Sequence, residues 1–221
     1  MLHLLIRWVL GPLARAVYRP KIQGAEHVPV TGPVVFASNH LSAIDTALIP
    51  FIAPREVAFL AKAEYFTGKG PRNRLMANFL TALGYVPVER GNAHAGLAAL
   101  STAQHVLESG GAFGIYPEGT RSQDGKLHKG HTGVAQLTLA TGALVVPVGL
   151  RGTEQLLPRG KKIPRPADVT VRFGAPLDFS RYDGMAESPP VRRSVTDEIM
   201  YAISELSGQE YVDNYHHRPP D

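Results

Sequence analysis

Asn39-His40-Leu41-Ser42-Ala43-Ile44-Asp45 places an imidazole and a carboxylate five residues apart. The segment directly follows Pro33 to Ala37, whose β-branched and aromatic residues predict a short buried strand. Across a strand-to-helix turn the two side chains meet if the chain folds back. The carboxylate then accepts a hydrogen bond from one ring nitrogen and leaves the other facing solvent as a base. That is the base-and-orienter half of a catalytic triad, with no nucleophile fixed beside it. Spacing alone leaves a structural His40 open. Its position past the C-terminal end of a strand, where α/β sheets bind ligands, favours the functional reading.

A second group, Tyr116-Pro117-Glu118-Gly119-Thr120-Arg121-Ser122, again follows a predicted strand. The glycine lets the backbone approach a ligand, and Thr120, Arg121 and Ser122 offer donors to an anion. An ordinary surface turn with a solvated arginine fits the same letters. Gly84 to Arg90 is a strand ending in another arginine, and Val145-Val146-Pro147-Val148 reads as core. Other signals fail. Gly119 to Lys126 resembles a phosphate loop, but its second glycine is one position late and Leu127 stands where Ser or Thr is needed. No G-x-S-x-G elbow occurs. His216-His217 sits among Arg and Pro with no third ligand nearby in sequence and reads as tail.

The elements that must position these groups alternate between strand-like and helix-like. Strands are predicted at Pro33–Ala37, Ala58–Ala61, Tyr85–Val88, Ala112–Tyr116, Leu144–Val148 and Asp168–Phe173. Helices are predicted at Ala95–Glu108, with Leu97, Leu100 and Leu107 at helical spacing before Gly110-Gly111, at Gly133–Ala140 and at Thr196–Leu206. The alternation implies an α/β domain with a central mixed, partly parallel sheet flanked by helices. With 221 residues, 44% of them hydrophobic, the chain suits one domain and is not disordered. We divide it into an N-terminal segment (1–21), a domain (22–210) and a tail (211–221). The absence of cysteine removes disulfides, thiolate metal sites and a cysteine nucleophile.

The net charge of +4 favours anionic partners. No stacking-aromatic pattern or helix-turn-helix cue accompanies it, so nucleic acid is not expected. Basic residues group at Arg7, Arg15, Arg19 and Lys21, and again at Arg151, Arg159, Lys161, Lys162, Arg165 and Arg172. Arg7 and Arg15 interrupt the apolar N-terminus, which is therefore not expected to span a bilayer or to act as a signal peptide. Drawn as a helix, it gathers Leu2, Leu5, Ile6, Val9, Leu10, Leu13 and Val17 on one arc, with Gly11-Pro12 breaking it in two. Such a helix packs on the protein's own core or lies in a membrane interface.

In order along the chain, these blocks resemble the PlsC-type 1-acyl-glycerol-3-phosphate acyltransferases, a glycerolipid acyltransferase family. The N-H-x4-D block is similar to Asn39, His40 and Asp45; G-x-[IV]-x-[IV]-x-R matches Gly84, Val86, Val88 and Arg90; E-G-T-R-S stands unaltered at Glu118 to Ser122; and V-x-P-V matches Val145, Pro147 and Val148. Ala61-Lys62-Ala63-Glu64 and Lys129-Gly130 also look familial, and the resemblance covers roughly residues 22–150. His131-Thr132-Gly133 departs from it, being more polar than expected at a helix start; His131 sits near the acceptor or is merely exposed.

The resemblance implies a fatty acyl transfer from acyl-CoA or acyl-carrier protein to the free hydroxyl of lysophosphatidic acid, giving phosphatidic acid. His40, oriented by Asp45, would take the hydroxyl proton while that oxygen attacks the thioester directly. It further implies that Arg90 with Glu118, Gly119, Thr120 and Arg121 holds the acceptor, with Lys62 as a third positive group. Two guanidiniums clamp a phosphate in a way that one lysine does not. No metal or bound cofactor is needed for that reaction. Glycerol-3-phosphate or another lysophospholipid stays open as acceptor, and a non-catalytic lipid-binding protein or a thioester hydrolase is the alternative of another class. The expected location is peripheral, on the cytoplasmic face of an anionic membrane, held by the N-terminal helix and the basic groups.

Overall fold

The computed structural model describes residues 18–68, 70–82, 84–88, 93–161 and 163–216. At its centre is a five-stranded sheet in the order β1 (Lys21–Gln23), β8 (Thr170–Phe173), β7 (Leu144–Arg151), β2 (Val34–Ser38) and β5 (Ala112–Ile115). Strands β2, β5 and β7 are mutually parallel and β8 runs antiparallel to β7, so the sheet is mixed. A single parallel bridge, Ala58 to Phe113, leads from β5 toward a parallel pair, β3 (Phe59–Lys62) and β4 (Tyr85–Val88).

Strand β2, Val-Val-Phe-Ala-Ser, is wholly buried. A central parallel strand covered on both faces needs such a continuous apolar run. Its alternation divides the core. Val34 and Phe36 join α1 (Asp45–Ile52) and α6 (Thr153–Leu156) on one face; Val35 and Ala37 join α4 (Ala93–Glu108), α5 (Gly133–Thr141) and α7 (Pro189–Ser207) on the other. Helix α7 lies directly on β7: a Cβ on Gly149 would stand 2.5 Å from the Leu206 backbone. Helices α2 (Glu64–Thr67) and α3 (Pro71–Ala82) connect β3 to β4.

Several expected elements have different limits. Strand β7 runs three residues past Val148, to Arg151, because Asn39 and β8 supply partners for its extension. Strand β8 begins at Thr170, where its ladder with β7 begins, rather than at Asp168. Helix α7 begins at Pro189, seven residues before the expected start; prolines tolerate a first turn, where no intrahelical N–H is required. Leu97 is 64% exposed, so only Leu100 and Leu107 of the expected α4 stripe pack inward. The segment from 211 is not wholly tail, since β9 (Tyr211–Val212) pairs with β6 (Leu127–His128). The N-terminal helix expected over 1–21 lies, as far as residue 17, outside the described residues. Among the described residues, no helix is long and apolar enough to cross a membrane.

Candidate active site

Strands β2 and β5 are parallel neighbours with Ala37 opposite Ile115, so the chain leaves both at the same edge. This register brings together two blocks some 80 residues apart in sequence. The Ser122 N–H donates to the His40 carbonyl at 2.8 Å, and the His40 ring stacks on Tyr116, centroids 3.9 Å apart and planes 11° apart.

Asn39 makes the exit possible. Its Nδ2 donates to Leu150 O at 2.9 Å and its Oδ1 accepts from Leu150 N at 2.8 Å, as a peptide unit in the ladder would. The main chain is then free to turn, and His40 projects past the sheet. Asp45 opens α1 and is fully buried. Its Oδ2 accepts from the Leu41 and Ser42 backbone N–H groups, both at 2.7 Å, and lies 2.9 Å from His40 Nδ1. The ionised carboxylate only accepts, so Nδ1 carries the proton and Nε2 keeps its lone pair.

Two features support this pair from outside. Pro50, inside α1, has no N–H to give Thr46 O; Tyr85 Oη donates to that carbonyl instead, at 2.6 Å. Ser42 Oγ donates to Leu157 O at 2.7 Å, which engages its proton away from the imidazole.

In the second block, Gly119 has a φ of +72°, and its N–H closes a turn onto Tyr116 O. A side chain here would meet both the left-handed backbone and the His131 ring, 3.2 Å from the Cβ position. Glu118 turns inward. It is 2% exposed, its Oε2 accepts the His128 N–H at 3.0 Å, and Oε1 is buried without a partner among the described residues. Burial pushes its carboxyl up to about 7, only partly offset by that hydrogen bond and by the nearby His40 backbone N–H. Thr120 is half-buried and Arg121 exposed; among the described residues, the Arg121 guanidinium has no hydrogen bond or ion pair. His131 is exposed and stacks on Tyr215, centroids 4.9 Å apart.

The structure therefore gathers His40, Asp45, Glu118, Gly119, Thr120 and Arg121 at one sheet edge. Arg90 and the Lys62 side chain lie outside what is described; β4 ends at Val88, before Arg90. Sequence reasoning missed three supports: the Asn39 amide bridge, the Tyr116 ring under His40, and the Tyr85 hydroxyl on α1. Tyr116 begins the second block, but only the β2–β5 register makes it a partner of His40.

Residues 19–151 match the family model described as Acyltransferase. The chain is 30% identical over 176 residues to a 1-acyl-sn-glycerol-3-phosphate acyltransferase of Limnanthes douglasii, covering 79% of this chain and 58% of that protein. It is 27% identical over 193 residues to the protein of the same name from Bacillus subtilis, covering 86% and 88%. The chain spans about half the length of the plant relatives it matches. The crystal structure of the 1-acyl-sn-glycerophosphate acyltransferase PlsC from Thermotoga maritima superposes with a TM-score of 0.65 and 25% identity, over 90% of this chain and 78% of that one.

Proposed function

The chain belongs to the acyltransferase family, in its PlsC-type branch, and from that premise we propose that it acylates the free hydroxyl of 1-acyl-glycerol-3-phosphate to give phosphatidic acid. The acyl donor is a thioester, acyl-CoA or acyl-carrier protein. The observation that carries the reading is the His40–Asp45 hydrogen bond at a sheet edge shared with Arg121.

His40 Nε2 takes the hydroxyl proton as the acceptor oxygen forms its bond to the thioester carbonyl carbon. Asp45 then faces an imidazolium, which its buried carboxylate stabilises. Collapse of the tetrahedral intermediate breaks the carbon–sulfur bond, and the proton returns from His40 to the departing thiolate. One ester and one thiol are formed, with no acyl-enzyme. Ser42 takes no part, its hydroxyl being directed at Leu157. The Arg121 guanidinium, unpartnered among the described residues, with Arg90 and Lys62 carried over by resemblance, binds the acceptor's phosphate. Thr120 brings a hydroxyl donor beside it, Gly119 lets the backbone come close, and Glu118 Oε1 remains as an inward-facing acceptor. Fixing the phosphate fixes the hydroxyl, and positioning of this kind supplies several kcal/mol, up to about 7–11 in ideal cases.

We also place the protein peripherally on an anionic membrane at its cytoplasmic face. Ile163, 82% exposed between Lys161 and Arg165, supports a lipid-facing loop in addition to the N-terminal segment. Removal of residues 1–20 is expected to abolish sedimentation with anionic vesicles; undiminished binding rejects that segment as the anchor.

The deciding experiment measures thiol release from palmitoyl-CoA by the purified chain, with lysophosphatidic acid or glycerol-3-phosphate offered separately and His40→Ala alongside. Turnover with lysophosphatidic acid that vanishes in the variant is the expected result. Turnover with glycerol-3-phosphate alone moves the acceptor, release without acceptor makes the protein a thioesterase, and undiminished turnover in His40→Ala rejects the base.

A further inference from the structure

Behind the second block lies a cluster that the acyl transfer does not use. Asp124, His128 and His216 each offer a ligand atom, and these atoms all lie within 4.8 Å of one another. They come from the loop after Ser122, from β6 and from the chain just past β9. The parallel β6–β9 pairing thus supplies the third ligand that the neighbourhood of His216 lacks in sequence.

Both nitrogens of His128, itself only 7% exposed, face acceptors. Nδ1 lies 2.9 Å from Asn214 Oδ1, and Nε2 lies 3.1 Å from Asp124 Oδ2. The Nδ1–H donates to Asn214, which leaves the neutral ring with its Nε2 lone pair directed at a carboxylate. Those two groups repel unless a positive charge stands between them. A proton on Nε2 is one answer, but it leaves a third atom unexplained. His216 Nε2 is buried without a hydrogen-bond partner among the described residues, and its ring lies 4.5 Å from that of His128. A shared cation satisfies all three side chains at once.

We propose that Asp124, His128 and His216 form a site for a divalent transition-metal ion of the zinc class, with water completing the coordination. Two imidazoles and a carboxylate suit such an ion, whereas magnesium and calcium prefer oxygen alone. Four-coordinate zinc, with bonds of about 2.0–2.2 Å, sets its ligand atoms about 3.3–3.5 Å apart, close to the Asp124–His128 separation. The Asn214 carbonyl oxygen is the kind of outer acceptor that orients a metal-bound histidine. Bound there, the ion ties the loop after Arg121 to the C-terminal segment, 88 residues on from His128.

The test uses the full chain without an affinity tag, stripped with a chelator and dialysed against Zn2+ alone, with metal content measured per chain. One zinc per chain is expected, with affinity at least tenfold weaker in His216→Ala and in Asp124→Asn, both showing wild-type circular dichroism. Zn2+ should raise the Tm of the wild type and not of the variants. Co2+ should give the wild type the visible absorption of a four-coordinate ion, a readout that needs no variant. No stoichiometric zinc, or equal affinity in wild type and folded variants, overturns the proposal. If neither variant folds, the cobalt spectrum decides, and a six-coordinate spectrum overturns it. None of these readouts depends on acyl transfer.

Discussion

Arg55 and Arg121 lie beyond opposite ends of β2 and β5. Arg55 donates to the carbonyls of Pro29 and Gly32, in the approach to β2, and of Gly110, in the approach to β5, at 2.9–3.0 Å. Its guanidinium is a clasp over the strands' starting edge. Arg121, past the other edge, keeps its donors unengaged among the described residues. The same contrast extends to neighbouring groups: at the exit edge Asp45 Oδ1 and Glu118 Oε1 are buried and, among the described residues, unpartnered. An edge whose polar groups are all paired serves stability. One that, among the described residues, leaves a cation, a ring nitrogen and two carboxylate oxygens unengaged costs stability and gains a capacity to bind.

The strongest way to break this comparison is at Asp45. Asp45→Asn replaces a carboxylate that accepts three N–H groups with an amide that must present donors to some of them. Turnover is expected to fall about 10²–10⁴-fold, with a loss of about 1–3 kcal/mol in stability, measured by thiol release and urea unfolding. Retained turnover would make the pair structural, like Arg55.

Glu118 tests the cost of the unpaired edge through pH. Its carboxyl titrates near 7 in the folded chain against an ordinary 4.5, so the folded state holds the proton more tightly. Its stabilising contribution is present below pH 4.5 and is lost as pH rises through about 7. Glu118→Gln, which retains an acceptor for the His128 N–H, should flatten that decline by up to about 3 kcal/mol. Unfolding curves at pH 5 and pH 8 read the difference, and parallel declines in both proteins would remove Glu118 as its source.

The two arginines themselves sharpen the contrast. Arg55→Ala should cost about 1–3 kcal/mol of stability and leave KM alone. Arg121→Ala should leave the Tm within a degree or two and raise KM for a phosphate-bearing acceptor about 10–100-fold. An exchange of these outcomes defeats the comparison. The smallest effect is expected at Ser42, where Ala should lower turnover less than about threefold and stability by about 1 kcal/mol. Abolished turnover there would instead make Ser42 a nucleophile.

What was legible in the sequence was local. Val-Val-Phe-Ala reads as a buried strand because a central parallel strand needs no polar face, and His40 with Asp45 reads as a pair because both sit across a single turn. What escaped depends on partners brought in from afar. Tyr116 becomes the floor under His40 only through the β2–β5 register, and His216 meets His128 only because two-residue strands pair, too short to leave a periodic signature. The early start of α7 escaped because two prolines look like breakers until they are seen in a first turn. Leu97 misled because helical spacing says which residues share a face without saying how far the core extends beneath it.

The Asn39 bridge has a consequence for motion as well as form. Leu150 belongs to β7, yet its amide hydrogen is held by a side-chain oxygen from the loop that presents His40. Neighbouring β7 amides should exchange when the sheet itself opens, whereas the buried Leu150 amide should exchange when the Asn39 side chain lets go and the loop moves far enough to admit water. Deuterium uptake at that one amide is therefore a clock for excursions of the His40 loop. Slower uptake on adding an acceptor would time how a ligand quiets the loop while the sheet beneath keeps its own pace.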